Sequence, residues 1–398
     1  MQNIPSHVPP ELVRAFDFKK ELTGSADSYR ELARLHEGPD IFFTPDQGGH
    51  WVVTRFADME AIFRNAADFS SRNALIPKGA RPMNILPLES DAPLHTAYRT
   101  ILYPYFTVDA VRKMEADAQE MATSLIEEIY PRGQCEFMND FALKMPIKIF
   151  MRLVNLPDTD VPYLLKLADG FFHGESPEVQ FASTAEMIGY VAQKMEERKQ
   201  NLGDDLLSAV LKGTAENGSR PLNQQEILGM ATVLILGGLD TVASTLTWFA
   251  KFLAENESHR RQLIDSPDII NKAMEELLRR HHIGSQAREV SHDIVYKGIT
   301  MKEGDMVLLP IVIAGLDDRQ FEDPWTVDFM RKDTKHLAFG RGPHMCIGAF
   351  LGRTELKVFI QQWLKRIPDF SVVPGQKPRI LCGITHALDS LQLQWTPR

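Results

Sequence analysis

The chain has 398 residues, 44 of them basic and 53 acidic, for a net charge of −9. That acidic balance argues against a nucleic-acid partner, and three cysteines suit a reducing cytosol better than a disulfide framework. No Pro/Gly/Ser linker, repeat or low-complexity run divides the sequence, so residues 1–398 are expected to form one domain in the cytoplasm.

The opening Met-Gln-Asn-Ile-Pro-Ser-His-Val-Pro-Pro combines neither a basic start nor an apolar run. Neither a signal peptide nor a membrane anchor is expected there. The stretch Asp91-Ala-Pro-Leu-His-Thr-Ala-Tyr-Arg99 reads as a helix start, with Pro93 suited to the first turn. His95 and Arg99, four residues apart, share one helix face. A cationic pair on that face can grip a carboxylate; a solvated surface is the plainer alternative.

Residues 223–255 make the longest periodic segment. Asn223 is a good N-cap and Glu226 at N3 completes a capping box. At 1.5 Å per residue the helix would span roughly 48 Å. From Ile227 to Ala250 the only charged residue is Asp240, so a membrane span competes with a core helix. The mid-span carboxylate, paired glycines and several hydroxyls make a poor lipid-facing surface, and a buried helix crossing the core is preferred. Gly237 and Gly238 each cost about 1 kcal/mol relative to alanine in a helix interior. A flat group pressed against the helix would account for them. Close helix packing, with Thr241 bonding back to a carbonyl one turn earlier, is the alternative.

Glu276-Leu-Leu-Arg279 is an acid–base pair at i, i+3, a weak signal by itself. The most informative segment follows: Phe339-Gly-Arg-Gly-Pro-His-Met-Cys-Ile-Gly348. Gly340 and Gly342 permit a tight turn with positive φ. Gly348 removes a side chain where a flat macrocycle would lie, and Phe339 would keep water from the sulfur. Cys346 precedes a helix-like stretch, 349–366, whose N–H donors and dipole favour a thiolate. A thiolate so held is a soft iron ligand that pushes electron density toward bound oxygen. A buried structural cysteine is the alternative, and that reading is kept for Cys135 and Cys382.

The spacing Phe339-x-x-Gly342-x-x-x-Cys346-x-Gly348 resembles the haem-binding signature of the cytochrome P-450 family, and the likeness extends over nearly the whole chain. It implies a mainly α fold with smaller β-sheets: a triangular helical prism with a long central oxygen-binding helix. It implies haem b (iron protoporphyrin IX) ligated through Cys346. The segment Gly237-Gly-Leu-Asp-Thr241 resembles the family's oxygen-activation motif. By that likeness Thr241 serves oxygen activation, Asp240 conducts protons from solvent, and Gly237 lies against the cofactor. His95, Arg99, Arg288 and His344 match the contacts that hold the haem propionates. Glu276 and Arg279 match a structural pair behind the pocket. Asp328 stands where many members carry that pair's third partner, an arginine, so the partner is left open.

Gly237-Gly-Leu-Asp-Thr-Val242, Glu275-Glu-Leu-Leu-Arg-Arg280 and Trp363-Leu-Lys-Arg-Ile-Pro-Asp-Phe370 are similar to the bacterial camphor-hydroxylase group. In that group a tyrosine donates to the substrate ketone; its place falls here on Met83, which has no O–H. Asn84 beside it could donate instead. The other matched pocket positions are Leu75, Ile85, Leu88, Val233, Leu236, Gly284, Ile384 and Thr385, with Phe171 and Phe172 at the entrance. Gly284, where a valine is expected, enlarges the site. The implied reaction is hydroxylation of an unactivated C–H bond with O2 and two electrons. The expected substrate is an apolar alicyclic or terpenoid molecule, a norisoprenoid ketone such as an ionone favoured over camphor. Electrons would come from a two-iron, two-sulfur ferredoxin and its NADH-dependent reductase. Arg99, Lys335 and Arg353 are the basic candidates for docking it, with Asp333 against. A monomer is the group's default. Camphor hydroxylation, a peroxide-driven haem-thiolate enzyme, and a haem-based sensor or electron carrier remain as alternatives.

Overall fold

The computed structural model describes residues 4–20, 28–79, 82–215 and 218–397. Among these residues it has thirteen α-helices. In chain order they are α1 (Ser28–Ala33), α2 (Phe56–Arg64), α3 (Leu94–Leu102), α4 (Val108–Ile129), α5 (Lys144–Val154), α6 (Val161–His173) and α7 (Pro177–Lys199). There follow α8 (Leu206–Lys212), α9 (Gln224–Leu239), α10 (Thr241–Glu255), α11 (Glu257–Asp265), α12 (Ile270–Arg280) and α13 (Ala349–Arg366).

Local chemistry fixes the helices that matter most. Thr107 caps α4, its hydroxyl accepting from the Ala110 N–H at 3.2 Å, and Val111, Ala118, Ala122, Leu125 and Ile129 are its buried stripe. The capping box at Asn223 and Glu226 forms as the sequence predicts: Asn223 accepts from the Glu226 N–H at 3.0 Å and donates its own N–H to Glu226 at 2.7 Å. Packing then assembles them. Helix α13 lies along α4, and Phe137, Phe141, Phe359 and Trp363 meet edge-on or stacked in the core between helices.

One five-stranded sheet flanks this helical body, with neighbours in the order Ile41–Thr44, His50–Val53, Met306–Leu309, Gln286–Val290 and Phe69–Ser70. The strand Gln286–Val290 places Arg288 opposite Val307. A second sheet joins Phe370–Val372, Gln392–Trp395 and Gln134–Glu136.

The long helix expected over 223–255 forms with a distortion at its centre: Asp240, at φ −116° and ψ −41°, stays in the right-handed region but interrupts the regular hydrogen bonding and separates α9 from α10. Inside the break the Thr241 hydroxyl donates to the Gly237 carbonyl at 3.1 Å. Such back-bonding bends helices, and the glycines beside it lower the resistance to bending. The segment is long enough to cross a membrane and has a mean hydropathy of 1.7 in its most apolar window, yet 61% of that window is buried inside the fold. Its apolar character serves the core.

The two glycines answer to different neighbours. A Cβ on Gly238 would come within 2.5 Å of the Phe150 ring on α5, whereas one on Gly237 would meet nothing within 4 Å. Gly238 is therefore explained by helix packing, and only Gly237 by the space before it.

Candidate active site

That space is a cavity of about 380 Å³ between α9–α10, α13 and the loop before α13. Cys346 opens onto it from one side; Gly237 and Thr241 line it on the helix side. The loop carrying Cys346 is built by backbone bonds. The Cys346 N–H donates to the Phe339 carbonyl at 2.8 Å, and the Met345 N–H to Gly342 at 3.1 Å. Gly342 adopts φ +71°, and a Cβ there would sit 2.5 Å from the Phe63 carbonyl oxygen of α2. Only glycine fits. Gly342 thus shapes the loop from outside the cavity, while Phe339, His344 and Gly348 line it.

Enclosure by the surrounding fold raises the Cys346 thiol above its ordinary pKa, although the residue is open to the cavity and exposed; the Gly348 N–H and the charges of Arg99 and Arg353 oppose this without cancelling it. The expected thiolate is thus not secured by the loop and helix end alone. Desolvation outweighs them, and a metal cation is what would remove the proton outright.

A cationic cluster lies at the cavity edge. His95 and Arg99, both on α3, line the wall with His344; the two imidazoles stand 3.8 Å apart between centroids. Arg288 lies behind this wall, fully enclosed, donating through Nη1 to the Ala287 carbonyl at 2.7 Å. His95 Nε2 and Arg288 Nη2 are buried with no hydrogen-bond partner. Burial pulls His95 down to about 4, His344 to about 3 and Arg288 to about 10; cationic neighbours depress the two imidazoles further, and Asp91 opposes the shift at His95 and Arg288. Buried donors without acceptors are costly. Their arrangement fits an anionic group entering from the cavity.

The remaining walls are mainly apolar, with Thr245, His282, Ser285, Gln286 and Glu355 among them. Leu75, Ile85, Leu88, Val233 and Leu236 line it, as do Phe171 and Phe172 from α6. Gly284, Ile384 and Thr385 close another side, held together by the bridge pairing Gly284 with Thr385. Two predicted substrate residues are not brought to the cavity. Met83 and Asn84 fall outside its lining; the Asn84 side chain is exposed and its carbonyl oxygen packs on Gly229 of α9. The chain turns its backbone, not these side chains, toward the helix.

Asp240 does not line the cavity either. Its carboxylate points behind the helix break, where Oδ2 accepts from Thr385 Oγ1 at 3.3 Å and from Ser244 Oγ at 3.5 Å. Burial raises its pKa, against the opposing charge of His173.

Further residues support the site from behind, and of these Arg331, His336 and Glu355 had no distinct sequence signal. Glu276 and Arg279 form a fully buried pair, with contacts at 2.8 and 2.9 Å. Their third partner is Arg331, whose Nε lies 3.1 Å from Glu276, while Asp328 contributes only its N–H at 3.0 Å. The arginine stands three residues beyond Asp328. Glu275 binds Arg353 at 2.6 Å and His336 at 2.9 Å, and His336 Nδ1 accepts from the Ala338 N–H at 3.1 Å, fixing the start of the cysteine loop. Glu355 on α13 lines the cavity, and burial alone lifts it to about 8. The three basic candidates for partner docking are already engaged: Arg353 with Glu275, Lys335 with Glu60 at 2.6 Å, and Arg99 in the cavity wall.

These features converge on a haem-thiolate protein, and comparison with known proteins agrees. The chain belongs to the cytochrome P450 family, whose model matches residues 113–266 and 266–385, and it takes haem b as its cofactor. It is 31% identical to "Probable cytochrome P450 127A1" of Sinorhizobium fredii, over 98% of this chain and 97% of that protein. It is 29% identical to "Cytochrome P450 monooxygenase PikC" of Streptomyces venezuelae, over 93% and 92%. Among solved structures it superimposes on CYP101J2 with a TM-score of 0.88 at 33% identity, and on cytochrome P450 CYP101C1 with 0.89 at 32%; each comparison covers 99% of this chain and 100% of the other.

Proposed function

We propose that this P450 monooxygenase hydroxylates an unactivated C–H bond of an apolar alicyclic or terpenoid substrate, with an ionone-type norisoprenoid ketone favoured over camphor. The balance is R–H + O2 + 2e⁻ + 2H⁺ → R–OH + H2O. The observation that carries the reading is one cavity of about 380 Å³ shared by Cys346, Thr241 and a nearly continuous apolar wall.

Bound haem supplies dioxygen activation and oxidation of the C–H bond. The chain's residues do the rest. Cys346 would hold the iron through its sulfur, with Arg99 and Arg353 favouring its anionic form. His95, Arg99, Arg288 and His344 are proposed to meet the propionates, which would satisfy the donors left bare at His95 Nε2 and Arg288 Nη2. Thr241 presents a hydroxyl to the cavity, and Asp240, its neighbour in the chain, is proposed to pass protons toward it. This pair favours dioxygen over peroxide as the oxidant. Leu75, Ile85, Val233 and Leu236 exclude water and orient an apolar substrate by shape.

With Met83 and Asn84 off the wall, neither donates to a substrate ketone, and the absence of a side chain at Gly284 widens the space. Both points support a substrate larger than camphor, oriented mainly by packing. The proposed electron source is a two-iron, two-sulfur ferredoxin with an NADH-dependent reductase. The pairing of Lys335 and Arg353 with local carboxylates supports a weak electrostatic component in that docking. Substrate-induced spectra test the specificity: β-ionone should convert the ferric protein to high spin more completely than camphor. The opposite ranking would contradict it.

A further inference from the structure

Asp240 is only partly exposed, and a line of hydrogen bonds leads from it to the surface. Its Oδ2 accepts from Thr385 Oγ1 at 3.3 Å. The same hydroxyl lies 3.2 Å from His173 Nε2, and His173 Nδ1 lies 3.2 Å from Asp169 Oδ1. The Asp169 side chain is 77% exposed and that of His173 only 9%. Residues from α6, the segment before the C-terminal strands and the α9–α10 break thus form one line, 212 residues apart at its widest link.

We propose that His173 is the proton inlet to Asp240, with Thr385 as the carrier between them and Asp169 as the surface anchor of the ring. The geometry gives the direction. Both ring nitrogens face oxygen atoms, so the ring serves best as an imidazolium, donating Nδ1–H to Asp169 and Nε2–H to Thr385. In the transfer the His173 Nε2–H bond breaks and a Thr385 O–H bond forms, while the original Thr385 proton passes to Asp240 Oδ2. The imidazolium becomes neutral imidazole and the carboxylate becomes a carboxylic acid. No electrons move. The neutral ring keeps Nδ1–H, so recharging requires it to turn Nε2 toward solvent, where a hydronium ion protonates it and leaves water, before it swings back to Thr385.

The electrostatics agree with this route. Burial opposes the charged ring, but the Asp169 hydrogen bond and the charges of Asp240 and Asp169 outweigh it, raising His173 above 6.5. Burial also raises Asp240. A raised carboxyl pKa makes Asp240 a better proton acceptor than an ordinary carboxylate. The groups facing His173 are Asp169 on its own helix and, from the elements packed against it, Asp240 and Thr385; Arg379 acts on Asp169 from the C-terminal region. Ser244, the other hydroxyl on Asp240, is fully buried and leads no further outward.

The proposal rests on reading Asp240 as the proton donor in turnover, and the two can fail separately. His173→Gln keeps a side-chain donor but cannot titrate. In the reconstituted holoenzyme it should consume NADH about tenfold more slowly, with a larger share lost as peroxide. It should also lose the decline in rate that the wild type shows as pH rises through the His173 pKa. Retention of both the rate and that pH profile would overturn the route. A drop in His173→Gln with the wild-type pH profile intact would assign the ring a structural role and overturn it too. If Asp240→Asn leaves turnover unchanged, the underlying reading of Asp240 fails; if Asp240→Asn is slow and His173→Gln is not, only the route fails. A readout independent of turnover is the His173 ring resonance in the NMR spectrum of the ferrous carbonyl form. Its titration should lie above 6.5 and move downward in both Thr385→Val and Asp240→Asn. An unmoved titration contradicts the link even if His173→Gln fails to fold.

Discussion

Arg288 and His95 carry the sharpest residue-scale consequence, because each holds a buried nitrogen with nothing to bond. A charge-assisted hydrogen bond contributes about 1.5–3 kcal/mol, so losing one should weaken cofactor retention roughly 10- to 100-fold. Arg288→Ala should therefore release haem to an excess of apoglobin faster by about that factor, whereas Arg288→Lys, still cationic, should lose less. Equal release from Arg288→Ala and the wild type would remove the arginine from the propionate set. These residues were legible because their signals are local: His95 and Arg99 share a helix face, and Cys346 sits in a ten-residue segment whose glycines restrict its backbone. His173 and Thr385 were not linked in advance, since their contact spans two distant parts of the chain and neither belongs to a compact motif. Met83 and Asn84 misled because a loop's register decides which atoms face inward, and side-chain type alone does not reveal it.

At the scale of elements, the join between α12 and the segment after it depends on a carboxylate with 0% side-chain exposure. Removing one partner of a buried ion pair costs about 3–5 kcal/mol, because the other charge is left unpaired. Arg279→Ala should lower the thermal midpoint far more than Arg331→Ala, which leaves Glu276 with Arg279 and the Asp328 N–H. Similar losses in the two variants would mean that Arg331 shares the burden equally. Gly238→Ala should also destabilise, by about 1–3 kcal/mol, by forcing a methyl onto Phe150. The cap at Asn223 could be read ahead because a capping box is encoded within four residues. The break at Asp240 could not be placed from periodicity: the apolar pattern continues through it, and the deviation comes from a hydroxyl-to-carbonyl bond together with packing on the two sides.

At the scale of the whole molecule, α6 is tied to the C-terminal region through a histidine whose pKa is raised in the fold. Such a group adds stability that is fully present below its unfolded value of about 6.5 and lost as pH climbs through the higher folded value. Wild type and His173→Gln should therefore differ most in thermal midpoint near pH 6 and least near pH 9. A gap that widens with pH would reverse the sign and contradict the assignment of charge to the ring. The cavity joins these scales, since α3, α6, α9, α10, α13 and the Gly284–Thr385 bridge each contribute part of its wall. Gly284→Val should shrink it and shift spectral selectivity from β-ionone toward camphor; unchanged selectivity would remove Gly284 from the substrate wall.

The most direct measurement is the carbon-monoxide difference spectrum of the reduced holoenzyme beside its Cys346→Ser variant. A thiolate bond to the iron predicts a Soret band near 450 nm in the wild type and its loss in the variant, with hydroxylation lost as well. A variant that kept the 450 nm band, or fresh wild-type protein absorbing near 420 nm, would contradict the placement of the iron on this sulfur.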